Sequence, residues 1–196
     1  MRRLGRILSA AAAVALGVLI AGGPAAARQL VIELAGGVSG TVVIELAEDV
    51  APRHAERLAT LAASGAYDGV AFHRVIEGFM AQTGDVRFGN VLRGYDPRRV
   101  GTGGSDLPDL PAEFSDLPFA RGTVGMARAA DPNSANSQFF IMFAPAPHLN
   151  GQYTVVGHVV SGMELVDRIR RGRGRSGMVA DPDYMARVTV RDEQAE

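Results

Sequence analysis

The chain has no cysteine, no tryptophan and no lysine. Without Cys there is no disulfide scaffold, no thiolate zinc site, no iron–sulfur cluster and no cysteine nucleophile. Without Lys, all 20 cations are arginines; against 21 Asp and Glu they leave a formal charge of −1, with no global pull toward nucleic acid. Aromatics are sparse at 6%, yet 47% of the 196 residues are hydrophobic and 21% charged. That is an ordinary globular balance, which excludes a disordered tail, a collagen-like repeat and a coiled coil.

Long apolar runs are also scarce. The one candidate, Ile7–Ala21, follows Arg2, Arg3 and Arg6, is broken by Ser9 and Gly17, and is closed by Gly22-Gly23-Pro24. At 15 residues it falls short of the roughly 20 that span a hydrocarbon core. Ala25-Ala26-Ala27 puts small residues at −3 and −1 before Arg28. This is the layout of a secretory signal peptide over residues 1–27. The mature chain, 28–196, is then one domain of 169 residues with 17 Arg against 21 acids, a charge of −4. That length buries roughly 70% of its unfolded surface without a covalent staple. Export combined with an all-Arg cation set points to a GC-rich bacterium and a periplasmic home. In that oxidising compartment the absence of Cys avoids stray disulfides.

The mature chain reads mostly as strands. Gln29–Leu34 and Thr41–Leu46 are β-branched runs joined by a Gly-rich turn. Pro52 opens a helix whose Ala55, Leu58, Ala59 and Ala62 share one face, and Ser64-Gly65 stops it. Further strands are expected over Val70–Ile76, Phe79–Thr83, Gly122–Ala127, Gln138–Phe143, Thr154–Val160 and Arg187–Arg191. A second helix is expected over Gly162–Arg171, with Arg168, Arg170 and Arg171 at its C-terminal end. Eight short strands and few helices predict a mainly β fold, a closed antiparallel barrel or sandwich. Between Gly84 and Pro111 there is no periodicity, only six Gly and three Pro, which marks a long loop, either functional or disordered.

Three segments concentrate unusual residues. The first runs Phe72-His73-Arg74-Val75-Ile76-Glu77-Gly78-Phe79-Met80-Ala81-Gln82-Thr83-Gly84-Asp85. Strand alternation would put Phe72, Arg74 and Ile76 on one face, and an Arg on an apolar face needs a partner or a route to water. The second is Gly122–Arg128 followed by Asn133-Ser134-Ala135-Asn136-Ser137-Gln138-Phe139-Phe140-Ile141. The third is Ala146-Pro147-His148-Leu149-Asn150-Gly151-Gln152-Tyr153-Thr154-Val155-Val156-Gly157.

Together with Gly101-Thr102-Gly103-Gly104, these segments resemble the cyclophilin family of peptidyl-prolyl cis–trans isomerases, from about Gln29 to Val190. The resemblance implies a closed eight-stranded antiparallel barrel capped by two helices. It implies Arg74 as the catalytic arginine and Gln82 as the residue that orients it and holds substrate. Phe79, Met80, Phe140 and Leu149 would form the apolar pocket for the proline ring. Ala127, Arg128, Gln138, His148 and Tyr153 would line the groove. His148 stands where cyclosporin-sensitive members carry Trp, so weak cyclosporin binding is expected. Glu77 replaces a common Pro and Thr83 a common Gly, while Tyr153 replaces a His. The segment 86–100 is longer than in compact relatives.

The chemistry suits such residues. Amide resonance sets a barrier of roughly 18–20 kcal/mol, and no bond must break for an X–Pro bond to rotate. A guanidinium beside the proline nitrogen donates to its lone pair only once the amide is twisted, which is differential transition-state binding. No cofactor is required. His54, His73, His148 and His158 show no metal-ligand spacing, and His73 reads as a packing residue. Asp131, Asp181 and Asp183 read as turn residues, and Arg168, Arg170, Arg171, Arg173 and Arg175 as a solvated, Gly-rich cationic stretch; nucleic acid is not an expected partner. Proline-containing polypeptides are, and nothing demands more than a monomer. A non-catalytic Pro-peptide binding or chaperone module on the same scaffold is the alternative reading, but it would not require both Arg74 and Gln82.

Overall fold

The computed structural model describes residues 27–192, so the leader expected over 1–27 lies, save Ala27, outside the described residues. Nine strands and two α-helices follow along the described residues: β1 (Arg28–Ala35), β2 (Gly40–Leu46), α1 (Pro52–Ala63), β3 (Val70–Ala71), β4 (Arg74–Ile76), β5 (Met80–Thr83), β6 (Thr123–Met126), β7 (Phe139–Met142), β8 (Val155–Ser161), α2 (Met163–Val166) and β9 (Tyr184–Asp192). They form one antiparallel sheet in the order β3-β9-β1-β2-β8-β6-β7-β5-β4.

The sheet curls into an open half-barrel and does not close, so the expected closed eight-stranded barrel is corrected on both counts. The cause lies in Val70–Ile76, which is not one strand. At Phe72 the backbone leaves the ladder: its N–H donates to the Asp183 carbonyl at 2.8 Å, and the His73 carbonyl accepts from Val179 N–H at 3.0 Å. The run therefore splits into β3 and β4, which become the two ends of the sheet. Isolated bridges, Val70↔Asn90 and Arg74↔Met178, cover those ends. Phe72 is thereby withdrawn from the face it was expected to share with Arg74 and lies in the main core, 1% exposed.

Helix α1 buries the four predicted face residues and also His54, Arg57 and Leu61. Its own N-cap residue, Ala51, supplies no side-chain cap. Glu113 does so from a distant loop, accepting from Arg53 N–H (3.3 Å), His54 N–H (3.1 Å) and His54 Nδ1 (2.6 Å). Burial alone would raise the Glu113 pKa, but these donors bring it below the usual carboxylate value.

The second helix is one turn, Met163–Val166, rather than Gly162–Arg171. Beyond it the bonds tighten to three-residue steps, Arg168 N–H to Leu165 and Ile169 N–H to Val166, and Arg170 N–H is captured by the Asp183 carboxylate at 2.7 Å. Asp183 is buried and also accepts from Gly37 and Val38 N–H, at 2.5 and 3.2 Å. It is thus a tie between the β1–β2 turn and the α2 exit, not a mere turn residue. The long loop after Gly84 is ordered in the same manner. The buried Asp85 carboxylate accepts from Arg87, Phe88, Gly101 and Gly103 N–H at 2.7–3.1 Å.

Register decides what faces the core and what faces out. Val75, Ala81, Ile141 and Val124 oppose one another across β4, β5, β7 and β6, each 0% exposed. One residue along each strand, the pleat presents the other face. There Arg74, Gln82, Phe140 and Gly125 form one row, and Ile76, Met80 and Met142 form the next.

Candidate functional site

These two rows floor a groove. Met80, Phe140, Met142, Leu149, Phe119 and Val155 form a second buried cluster, apart from the main core, with Ile76, Phe79, Ala127 and Tyr153 packed at its edge. Leu149 arrives on a single 3₁₀ turn, Pro147–Leu149. Phe140 stacks on Phe119 with centroids 5.7 Å apart and meets Tyr153 edge-on at 5.9 Å.

Arg74 stands over this floor, half-buried. Its Nε donates to the Ser176 carbonyl at 3.0 Å, and its Nη1 donates to Gln82 Oε1 at 3.2 Å and approaches Met80 Sδ at 3.8 Å. Among the described residues, Nη2 carries no hydrogen bond. Burial draws the guanidinium pKa down, opposed by Tyr153. The chain of donors continues: Gln82 Nε2 to Gln138 Oε1 at 2.9 Å, and Gln138 Nε2 to the Gly103 carbonyl at 2.7 Å. Each member is oriented by the next, so Arg74 is fixed before any ligand arrives.

The structure brings Arg74, Gln82, Phe79, Met80, Ala127, Gln138, Phe140, Leu149 and Tyr153 around one groove. His148 stands exposed at its rim, stacked on Phe79 at 5.9 Å. Arg128 is placed at the wall but folds back. Its guanidinium lies 4.4 Å from the Tyr153 ring centroid and donates to the carbonyls of Ala129, Ala130 and Gln152. His73 is fully buried. Burial, opposed by Asp85, lowers its pKa to about 4, so it is neutral at physiological pH. Among the described residues no three His, Cys, Asp or Glu gather as a metal site.

Several contributors were not foreseen. Ser176 and Gly103 act through backbone carbonyls, which any residue supplies, so the sequence carries no signal for that role, although Gly103 itself lies within the Gly101–Gly104 motif. A cavity of about 540 Å³ adjoins the groove beyond Gln82 and Gln138, walled by Gly101–Ser105 and Asn136. Its sequence signal is the Gly pair 103–104, where the reason for glycine is space. A Cβ on Gly104 would lie 2.9 Å from Asn136 Cγ, and one on Gly103 2.8 Å from the Phe88 ring.

A family model described as cyclophilin type peptidyl-prolyl cis-trans isomerase/CLD matches residues 30–190. A probable peptidyl-prolyl cis-trans isomerase of Brucella suis is 62% identical over 152 residues, 77% of this chain and 78% of that one. Peptidyl-prolyl cis-trans isomerase-like 1 of Aspergillus fumigatus is 38% identical over 134 residues, 66% of this chain and 76% of that one. Among solved structures, a cyclophilin from Hirschia baltica superposes with a TM-score of 0.67 at 25% identity, covering 82% of this chain and 73% of that one. A cyclophilin type isomerase from Cryptosporidium parvum, crystallised in the presence of the dipeptide Ala-Pro, gives 0.69 at 27% identity, covering 84% and 99%. The chain belongs to the cyclophilin-type peptidyl-prolyl cis-trans isomerases, as its motifs implied, and is an enzyme of that class.

Proposed function

We propose that this isomerase accelerates X–Pro rotation by presenting the Arg74 guanidinium to the proline nitrogen of the twisted amide. Uncatalysed rotation takes tens to hundreds of seconds because amide resonance must be broken. Twisting returns a lone pair to the nitrogen, a hydrogen-bond acceptor that the planar ground state lacks. A donor held there binds the transition state more tightly than the substrate and so lowers the barrier. The observation that carries this reading is Arg74 clamped through Nε and Nη1 above an apolar floor, with Nη2 unoccupied among the described residues. Met80, Phe140 and Leu149 would receive the proline ring, as the Ala-Pro dipeptide with the Cryptosporidium relative supports for proline peptides in general. No proton moves, in keeping with a neutral, buried His73.

The test is cis–trans exchange in an Ala-Pro-Phe peptide. Arg74→Ala is expected to lower kcat/KM by about a hundredfold, the scale of losing one preorganised transition-state donor, while peptide affinity changes little. An unchanged rate in a folded variant, or a loss confined to affinity, would sink the mechanism.

The same reading keeps cyclosporin binding weak, and a groove built from this chain's own residues needs no second subunit. His148 at the rim offers a smaller apolar face than the Trp of sensitive members. Cyclosporin titration of the wild type and of His148→Trp should show the substitution tightening binding at least tenfold; nanomolar binding by the wild type would contradict it. Export with removal of residues 1–27 also belongs to this reading. It is supported by Arg28 standing at the start of β1, where it is held by Glu48 and by Glu56 at 2.7 Å.

A further inference from the structure

The row of residues that carries the site does not stop at β4. Arg74 pairs through an antiparallel bridge with Met178, and Met178 pairs with Arg173. Residues directly opposed in antiparallel pairs project to the same face. Arg173, Met178, Arg74, Gln82 and Phe140 are therefore one line along the groove face. Neighbouring strands lie about 4.8 Å apart, which places the Arg173 backbone about 10 Å from that of Arg74. The same loop holds Arg74 through the Ser176 carbonyl. Loop 172–178 is thus the groove wall at the end opposite the Gly103 carbonyl.

The charges at this end are uneven. Arg171 is bonded to Glu77 at 2.5 Å and lies over Phe143; Arg170 is paired with Asp181, and Arg121 with Asp167 at 2.6 Å. Arg173 and Arg175 are exposed and, among the described residues, have no carboxylate partner. The segment Gly172–Met178 contains no acid at all. Elsewhere along the groove Arg87 is bonded to Asp106, and Arg128 folds onto its own loop. Two uncommitted cations thus flank the reacting end of a groove on a chain that carries more acids than bases.

We propose that Arg173 and Arg175 make this isomerase select proline segments that carry an Asp or Glu on the flank lying over loop 172–178. An extended chain advances about 3.4 Å per residue, so an offset of about 10 Å puts the favoured acid two to four residues from the proline. Two cations suit a carboxylate on a peptide better than a nucleic acid, whose binding rests on many phosphate contacts. The inference deepens the proposed function and rests on Arg74 marking the reacting bond.

The experiment uses the full chain and three end-blocked peptides of the form Ala-Ala-Ala-Pro-Phe-Ala-Ala: neutral, with Glu three residues before the proline, and with Glu three residues after it. Exchange is measured by NMR at low and high salt. One Glu peptide should be turned over about fivefold better than the neutral one at low salt, an advantage screened away at high ionic strength. In Arg173→Gln/Arg175→Gln the acid-to-neutral ratio should fall to near one. Equal turnover of all three peptides by the wild type overturns the proposal, as does a preference that survives the double substitution. So does a single-stranded oligonucleotide that binds through these two arginines while the peptides show no charge preference. If even the neutral peptide is not accelerated, the Arg74 mechanism fails by itself. The affinities of the same three peptides then judge the charge preference separately.

Discussion

Gly125 shows how tightly a single position fixes the site. It faces Phe140 across β6 and β7, and a Cβ there would lie 2.5 Å from Phe140 Cζ and 2.5 Å from Phe119 Cε1. Its backbone is ordinary, so the obstacle is collision alone. Gly125→Ala should push the Phe140 ring into the groove proposed to receive proline, lowering kcat/KM about tenfold or more and stability by about 1–3 kcal/mol. Peptide exchange and a thermal melt check both; full activity would mean that Phe140 can move without narrowing the pocket. The residues that line this groove by their side chains, Arg74, Gln82, Met80, Phe140 and Leu149, were legible because side-chain chemistry is what a motif records. Phe119 was not, because it enters from outside the motifs and is marked only by hydrophobicity. Arg128 was legible as a wall residue, but not its posture, which depends on the carbonyls of Ala129, Ala130 and Gln152.

Elements were legible where local pattern and tertiary partner agree. The β1–β2 hairpin and α1 came within a residue or two of their ends, since alternation, Pro52 and the Ser64-Gly65 stop are all local signals. Where a distant partner decides, local pattern misleads. Val70–Ile76 reads as one strand because every residue tolerates extension, yet Asp183 and Val179 draw the backbone at Phe72-His73 out of the ladder. The apolar spacing Met163, Val166, Ile169 extends α2 too far because the Asp183 carboxylate competes for the Arg170 N–H. The α1 cap has the same origin, Glu113 lying 59 residues from His54. Carboxylates that organise backbone from afar, Asp85, Glu113 and Asp183, are the features of this fold that periodicity does not register.

At the scale of the whole molecule, the open sheet and its buried histidines give stability a definite pH dependence. His73 and His54 are each fully buried, and burial is the main cause that lowers both pKa values, to about 4 for His73. The unfolded chain would protonate His73 near pH 6.5. Between that pH and about 4 the unfolded state holds a proton that the folded state refuses, so stability must fall as pH falls through this window. The full difference for His73 amounts to about 3 kcal/mol, a large share of the 5–15 kcal/mol typical of a domain. His54 pulls in the same direction, although its bond to Glu113 opposes the shift. Glu113 adds to the loss at lower pH, because its depressed pKa contributes stability only while it stays ionised. Urea midpoints should therefore drop steadily from pH 7 to pH 4.5, and the His73 ring should titrate near pH 4 by NMR in the folded protein. A flat midpoint over that range, or a His73 ring titrating near 6.5, would mean that the strip between β3 and β4 admits water. In that case Phe72-His73 would be an opening in the sheet rather than a sealed seam.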